Sequence, residues 1–296
     1  MELSQIRIFK AVADSGSVVR ASALLNCVPS NVTARIKALE QELGVVLFHR
    51  EGRGLRISAS GRMFLCYANK ILALAAESRR MLDPLSVPGG GLKIGAIESS
   101  AMGRLPHFLV QFHARFPQVS LQLRSAPWSI LLEQLERHEL DGAIIAVDVE
   151  RDFLCRSPIY EEQLQLIAPS TLGPLRGAHD LQGKTIFMWP DGCPYRAALT
   201  AWLRKHGLSL PIMSFASYGA IIGCVRVGGG VALVPAGIVG RYCDTSELVY
   251  HSFPDLTPVR NFFVWHRDAA CHPAREAFAS LLQEQLNFPR SSGTAV

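Results

Sequence analysis

Residues 17–44 read SVVRASALLNCVPSNVTARIKALEQELG, and this stretch decides how the N-terminal part of the chain folds. Ser17 can accept a hydrogen bond from the free N–H groups that open a helix, so it reads as the N-cap of a short helix over Val18 to Leu25, with Ala21 and Leu24 on its inner face. Asn26-Cys27-Val28 is a tight connection. Pro29 suits the first turn of a second helix, where its missing N–H costs nothing, and Gly44 ends that helix. Between them Val32, Ile36, Leu39 and Leu43 recur at helical spacing and form one buried stripe. Ser30, Asn31, Thr33, Ala34, Arg35 and Lys37 stay on the polar side.

Upstream, Leu3, Ile6, Phe9 and Val12 predict an earlier amphipathic helix, broken at Ser15-Gly16-Ser17. Downstream, Val45–Phe48 and Gly54–Ile57 predict two short strands around a basic turn, His49 to Arg53. Helix, short turn, helix and basic wing is the layout of a winged helix-turn-helix, whose second motif helix enters the major groove with its N-terminal residues leading. Pro29, Ser30, Asn31, Thr33, Ala34, Arg35 and Lys37 mix potential base readers with phosphate partners, and Arg50 and Arg53 of the wing join them as candidate DNA contacts. An ordinary three-helix bundle with a solvated face would show much of the same pattern.

The charge distribution favours the DNA reading. Residues 1–62 carry nine Lys/Arg against five Asp/Glu, a net +4. Residues 63–90 add three basic and two acidic residues, and residues 91–296 hold 18 of each. The whole excess of +5 therefore lies in the first 90 residues, as expected of a polyanion-binding head on a neutral body. The chain has 296 residues, enough for two or three domains, and 49% hydrophobic residues, which excludes a mostly disordered polymer. Its longest apolar stretch, Ala220 to Gly240, is interrupted by Arg226, glycines and Pro235, and the start shows no basic segment followed by an apolar one. No membrane association and a cytoplasmic location are expected.

From Ser60-Gly61 about two dozen residues run without Pro or Gly, a rod of roughly 36 Å. Met63, Tyr67, Ile71, Leu74, Ser78 and Met81 fall near heptad spacing, so the helix needs a partner along that stripe. Asp83-Pro84 ends it, and Pro88 to Gly91 reads as a hinge. From Leu92 strand-like and helix-like segments alternate, which predicts an α/β body with a mostly parallel sheet. Ligands of such sheets lie beyond the carboxyl ends of the strands. Glu98, Ser99, Ser100, Trp128, Ser129, Asp148, Cys193, Tyr195, Arg196 and Tyr218 fall there.

The motifs resemble those of the LysR-type transcriptional regulators. In the head these are F-x-x-V-A-x-x-G-S at Phe9–Ser17, A-x-x-L at Ala21–Leu24, I-x-x-L-E at Ile36–Glu40, L-G-V at Leu43–Val45, L-F-x-R at Leu47–Arg50 and S-x-x-G at Ser58–Gly61. In the body they are F-x-x-x-F-P-x-V-x-L at Phe112–Leu121, L-x-x-x-E-L-D-x-A-I at Leu135–Ile144 and G-x-G-V-A-L-V-P at Gly228–Pro235. The segments Gly192–Arg196 and Tyr218–Val225 are similar to a subgroup that includes regulators of putrescine utilisation. The resemblance implies a winged helix-turn-helix over 1–62, a linker and dimerisation helix with hinge over 63–90, and an effector-binding domain over 91–296. That domain would have two lobes like a periplasmic solute-binding protein, lobe I from 91–161 and 266–296 and lobe II from 162–265. It implies double-stranded operator DNA as a partner, self-association as a dimer and a tetramer, and a small-molecule effector between the lobes. Serines and helix N-termini would clamp a carboxylate; Glu98 and Asp148 would suit an amine. The recognition helix departs from the family, which usually opens it with Ser-Gln-Pro-Ala and then Ser-Arg, whereas here Val28, Pro29, Ser30 and Asn31 are followed by Thr33 and Ala34.

No G-x-S-x-G, H-E-x-x-H or phosphate-loop motif occurs, and the nine histidines lack ligand spacing, so neither enzymatic activity nor a metal or cofactor is expected. Seven cysteines without C-x-x-C predict reduced thiols. Two alternatives follow from the same residues. One is a thiol-based redox regulator acting through Cys193, whose position before a helix and near Arg196 would lower its pKa. Peroxide-sensing family members imply a second cysteine about nine residues on, where Trp202-Leu203 stand. The other is a solute-binding α/β protein with an accessory basic head.

Overall fold

The computed structural model describes residues 1–51, 54–81, 88–242, 247–269 and 272–286. Arg53 and the expected helix end at Asp83-Pro84 lie outside the described residues, as does the side chain of Met81. The chain divides into an N-terminal and a larger C-terminal unit.

The N-terminal unit runs α1 (Leu3–Ser15), α2 (Val18–Leu24), α3 (Pro29–Leu43), β1 (Phe48–Glu51), β2 (Gly54–Ile57) and α4 (Ala59–Met81). Ser17 caps α2 by accepting the Arg20 N–H, and Gly44 ends α3 in the left-handed region at φ 68°. Ile6, Phe9 and Val12 of α1 pack with Ala21, Val32, Ile36, Leu39, Leu47, Phe48 and Ala68 in one core. β1 and β2 pair antiparallel, and the Leu55 N–H donates to the Gly16 carbonyl at 3.1 Å, which pins the wing to the turn after α1. Glu40 accepts the N–H groups of Leu47 and Phe48 at 2.7 and 3.2 Å, and this holds the entry to β1 against α3. Ser58 bridges the Val46 carbonyl and the Gly61 N–H. A Cβ on Gly61 would stand 2.3 Å from the Leu47 carbonyl oxygen. The S-x-x-G spacing is thus a close backbone crossing that only glycine permits.

The C-terminal unit contains two five-stranded sheets. The first uses β3 (Gly90–Ala96), β4 (Val119–Ser125), β5 (Gly142–Ile145), β6 (Leu154–Glu162) and β12 (Val259–His266), in the order β4-β3-β5-β12-β6. The second uses β7 (Leu164–Pro169), β8 (Ile186–Met188), β9 (Ile212–Ser214), β10 (Val231–Pro235) and β11 (Leu248–His251), in the order β11-β7-β10-β8-β9. α5 (Glu98–Gly103), α6 (Leu105–Arg115), α7 (Trp128–Glu136) and α11 (Pro273–Leu286) accompany the first sheet; α8 (Pro194–Lys205), α9 (Tyr218–Arg226) and α10 (Ala236–Tyr242) accompany the second.

Three expectations need correction. The sheets are mixed rather than mostly parallel, because β12 runs antiparallel to β5 and β6, and β7 runs antiparallel to β10 and β11. The boundary of lobe II at 265 is also displaced. β12 is hydrogen-bonded between β5 and β6 over Val259–His266, so the return crossing to lobe I precedes Val259. The glycines expected in the hinge, Gly90 and Gly91, instead open β3 beside Val119 and Ser120.

Phe108, Phe112 and Phe278 meet edge-on beneath the first sheet at 4.8 and 5.2 Å, joining α6 to α11. Ile167, Phe187, Ile221, Ala232 and Val234 form the outer core of the second lobe. A third cluster is continuous between the lobes, from Leu131, Ile145 and Phe262 to Leu166, Leu199, Trp202 and Leu233.

Candidate functional site

In the N-terminal unit Pro29, Ser30, Asn31, Ala34, Arg35 and Lys37 of α3 are exposed, and Thr33 is half-buried with its hydroxyl donating to the Pro29 carbonyl at 3.0 Å. A groove of about 320 Å³ runs between the start of α2, α3 and the wing, and Thr33, Lys37 and Arg50 line it with Ser17. Arg35 lies apart from this groove and pairs with Glu2 at 3.0 Å. The exposed polar face of α3 therefore has two sections, one of which already holds a counter-charge. Along α4, Met63, Tyr67 and Leu74 are 65%, 64% and 62% exposed, at spacings of four and seven residues.

In the C-terminal unit a cavity of about 240 Å³ opens where the carboxyl ends of β3, β4 and β8 meet the starts of α5, α7, α8 and α9. Each wall residue follows from local structure. Glu98 is the first residue of α5, Trp128 the first of α7, Cys193 the N-cap of α8, and Tyr218 the first of α9. Of the residues predicted from the sequence, Glu98, Ser99, Trp128, Ser129, Cys193, Tyr195 and Tyr218 line the cavity together.

Three predicted residues do not. Ser100 is fully buried and shares a 2.7 Å hydrogen bond with the Tyr160 hydroxyl, because successive residues at the start of α5 point to different sides. Asp148 forms a 2.9 Å ion pair with Arg156 and, with Arg196, lines an adjoining cleft that shares Trp128, Asp191, Gly192, Cys193 and Pro194 with the cavity. Arg196 is held by Asp191 at 2.9 Å, donates to the Trp189 carbonyl at 3.0 Å and to Ser214 at 2.6 Å, and so braces the 189–192 loop from behind. Trp189, Asp191 and Ala216 are wall residues absent from the sequence-derived set. Trp189 directly follows β8, a strand-end position that is legible in the sequence.

The polar atoms of the cavity are arranged as a relay between lobes. The Ser99 hydroxyl donates to the Tyr195 oxygen, and the Tyr195 hydroxyl donates to Asn261 Oδ1, both at 3.3 Å. Burial pushes the Tyr195 and Tyr218 phenols up, so both remain neutral. Trp128 Nε1–H donates to the Gly192 carbonyl at 2.9 Å, and the Trp189 ring meets Tyr218 at 5.6 Å. Glu98 Oε1 accepts the Tyr218 backbone N–H at 3.4 Å, and burial raises the Glu98 carboxyl above its ordinary range despite that bond. Burial also pushes the Cys193 thiol up. The expected lowering by the helix start and Arg196 is present but smaller than the desolvation, so the thiol does not have the lowered pKa expected from the sequence.

Beside the cavity, Arg104 meets Glu162 at 3.0 and 2.9 Å, and Glu162 also accepts the Gly237 N–H at 3.1 Å. This cluster had no motif to announce it; its trace in the sequence is an acid at an inward position of a strand.

Among the described residues, no helix is long and apolar enough to cross a membrane, and no group of three or more His, Cys, Asp or Glu is placed to hold a metal ion.

Comparison with known proteins agrees with this architecture. Residues 3–62 match the model of the bacterial regulatory helix-turn-helix protein, lysR family, and residues 86–287 match the LysR substrate binding domain. The HTH-type transcriptional regulator YusT of Bacillus subtilis is 35% identical over 280 residues, covering 94% of each chain. GltR of the same organism is 31% identical over 293 residues, covering 98% of this chain and 99% of its own. A single-site variant of full-length OxyR from Pseudomonas aeruginosa shares the fold with a TM-score of 0.79 at 23% identity, over 96% of this chain and 98% of that one. Full-length CbnR complexed with its target DNA does so with a TM-score of 0.70 at 20% identity, over 96% of this chain and 99% of that one. The chain thus belongs to the LysR family of helix-turn-helix transcriptional regulators, with a DNA-binding head followed by a substrate-binding effector domain.

Proposed function

We propose that this regulator takes its small-molecule effector into the cavity lined by Glu98, Ser99, Trp128, Ser129, Trp189 and Tyr218. The observation that carries this is the position of that cavity, at the strand ends of both lobes and against the Ser99–Tyr195–Asn261 relay. A ligand there contacts elements of both sheets, so its binding free energy can bias their spacing. In this reading Ser100 and Arg196 support the cavity without touching the ligand, and Asp148 lies outside it.

The head grips double-stranded operator DNA with Pro29, Ser30, Asn31, Thr33, Ala34, Arg35 and Lys37 of α3 and with Arg50 of the wing. The protein self-associates through the apolar stripe of α4, works in the cytoplasm, and acts by binding alone. Effector binding shifts the population between assemblies that hold operator DNA differently.

Thermal shifts of the full-length protein against amines, amino acids, dicarboxylates and aromatic acids test the cavity, with Ala216→Phe as the control. Ala216 lines the cavity and is exposed, so a phenylalanine there fills the rim without entering the core. Saturation at 100 times Kd stabilises by about 2.7 kcal/mol, several degrees in Tm. A shift that Ala216→Phe abolishes places the effector in the cavity. An equal shift in both proteins places it elsewhere.

A further inference from the structure

The cavity has a definite charge. Among the described residues, its wall contains two carboxylates, Glu98 and Asp191, and no lysine, arginine or histidine. Asp191 is neutralised by Arg196. Glu98 is not: it accepts the 3.4 Å contact from the Tyr218 N–H, and among the described residues no cationic side chain acts on it. The nearby arginines are committed, Arg104 to Glu162 and Arg196 to Asp191, Ser214 and the Trp189 carbonyl. A half-buried carboxylate with so little compensation is costly, and a cation is what relieves it. The rest of the wall is aromatic, with Trp128, Trp189, Tyr195 and Tyr218 around the same space. Aromatic faces attract ammonium groups, and their apolar area covers a hydrocarbon body.

Resting on the reading of this cavity as the effector site, we infer that the effector is an organic cation, a protonated amine whose ammonium group pairs with Glu98 and whose apolar part lies among the four aromatic rings. A carboxylate ligand would bring like charge to Glu98. It would find only neutral donors on the wall, such as Ser129 and the buried, unpartnered Trp189 Nε1–H. The amide that opens α9 is already occupied by Glu98, so that helix start is not open to an anion. A cavity of about 240 Å³ suits a small amine.

The test uses full-length protein and calorimetric titration with n-butylamine, benzylamine and 1,4-diaminobutane. Shape-matched neutral compounds, 1-butanol and benzyl alcohol, and the acids butyrate and benzoate are titrated alongside. We expect the amines to bind at least about tenfold more tightly than the alcohols, a comparison within the wild-type protein that needs no variant. Glu98→Gln should weaken the amines roughly 10- to 100-fold and leave the alcohols unchanged. Three results would overturn the assignment: no amine binds, the amines bind Glu98→Gln as well as wild type, or an acid binds in preference. An acid whose binding Ala216→Phe abolishes would reject the cation and keep the cavity. An amine that binds wild type and Ala216→Phe equally would reject the cavity itself.

Discussion

Arg104 and Glu162 meet through two parallel hydrogen bonds, Nε to Oε2 at 3.0 Å and Nη2 to Oε1 at 2.9 Å, where the chain first crosses from one sheet to the other. Glu162 is 2% exposed and also accepts the Gly237 N–H at the start of α10. One carboxylate therefore ties the junction of α5 and α6 in the first lobe to α10 of the second. α5 comes so close to α10 that a Cβ on Gly103 would stand 2.9 Å from the Gly237 carbonyl carbon. Removing one member of a buried pair strands the other charge. Arg104→Ala should cost about 3–5 kcal/mol, read as a lower urea midpoint for the C-terminal unit, whereas the double variant Arg104→Met with Glu162→Leu should lose less.

In the head, Lys37 and Arg50 face a common groove, and each is expected to neutralise a phosphate. Lys37→Ala and Arg50→Ala should each weaken DNA binding across sequences and reduce the slope of log K against log salt by about one. Titrations of a selected operator fragment at several salt concentrations would show this. An unchanged slope would remove that residue from the phosphate contacts.

The apolar stripe of α4 predicts the assembly. Tyr67 and Leu74 are exposed on one face of a 23-residue helix. A charge at Leu74 would be buried wherever that face is covered by a second copy. Leu74→Glu should lower the sedimentation mass and weaken operator binding while leaving ligand binding by the body intact.

Glu98 should make stability depend on pH in an unusual direction for a carboxylate. Burial raises its folded-state pKa above the ordinary 4.5, so ionisation favours the unfolded chain. This contribution is present below the ordinary value and lost as pH rises through the folded-state value. Glu98→Gln removes the titration. The Tm difference, variant minus wild type, should therefore grow as pH is raised from 4 towards neutrality and then level off. A difference independent of pH would contradict the raised pKa.

Cys193 should be a slow thiol. Its pKa is pushed above the ordinary 9.0 by burial, so less thiolate is present at neutral pH than in a free cysteine peptide. Iodoacetamide at pH 7.5 should alkylate it more slowly than such a peptide, as mass spectrometry would show. Faster labelling would revive the redox reading.

Much of the head was legible in the chain because its determinants are local. Helix caps at Ser17 and Gly44, Pro29 at a first turn and a four-residue apolar stripe specify helices without reference to distant residues. Even so, the reason for the S-x-x-G motif, a Cβ that Gly61 cannot carry beside Leu47, is visible only when the two strands of backbone are brought together. The cavity was legible to the extent that strand ends are. The rule found Glu98, Trp128, Tyr195 and Tyr218, but it could not separate Ser99 from Ser100. A helix turns about 100° per residue, and one hydroxyl faces the cavity while its neighbour faces Tyr160.

Periodicity, capping and charge distribution, each a property of residues close in sequence, established a basic winged head, a long apolar-striped helix and an alternating α/β body. Tertiary structure alone decided which sheet β12 joins, which carboxylate is neutralised and which is left for a ligand. Glu162 and Glu98 look alike as letters in a chain. Arg104, 58 residues away from Glu162, makes one a lobe clamp, and the absence of any such partner for Glu98 among the described residues makes the other a charge awaiting a counter-ion. Pairing of that kind depends on long-range packing and desolvation, which no local pattern encodes.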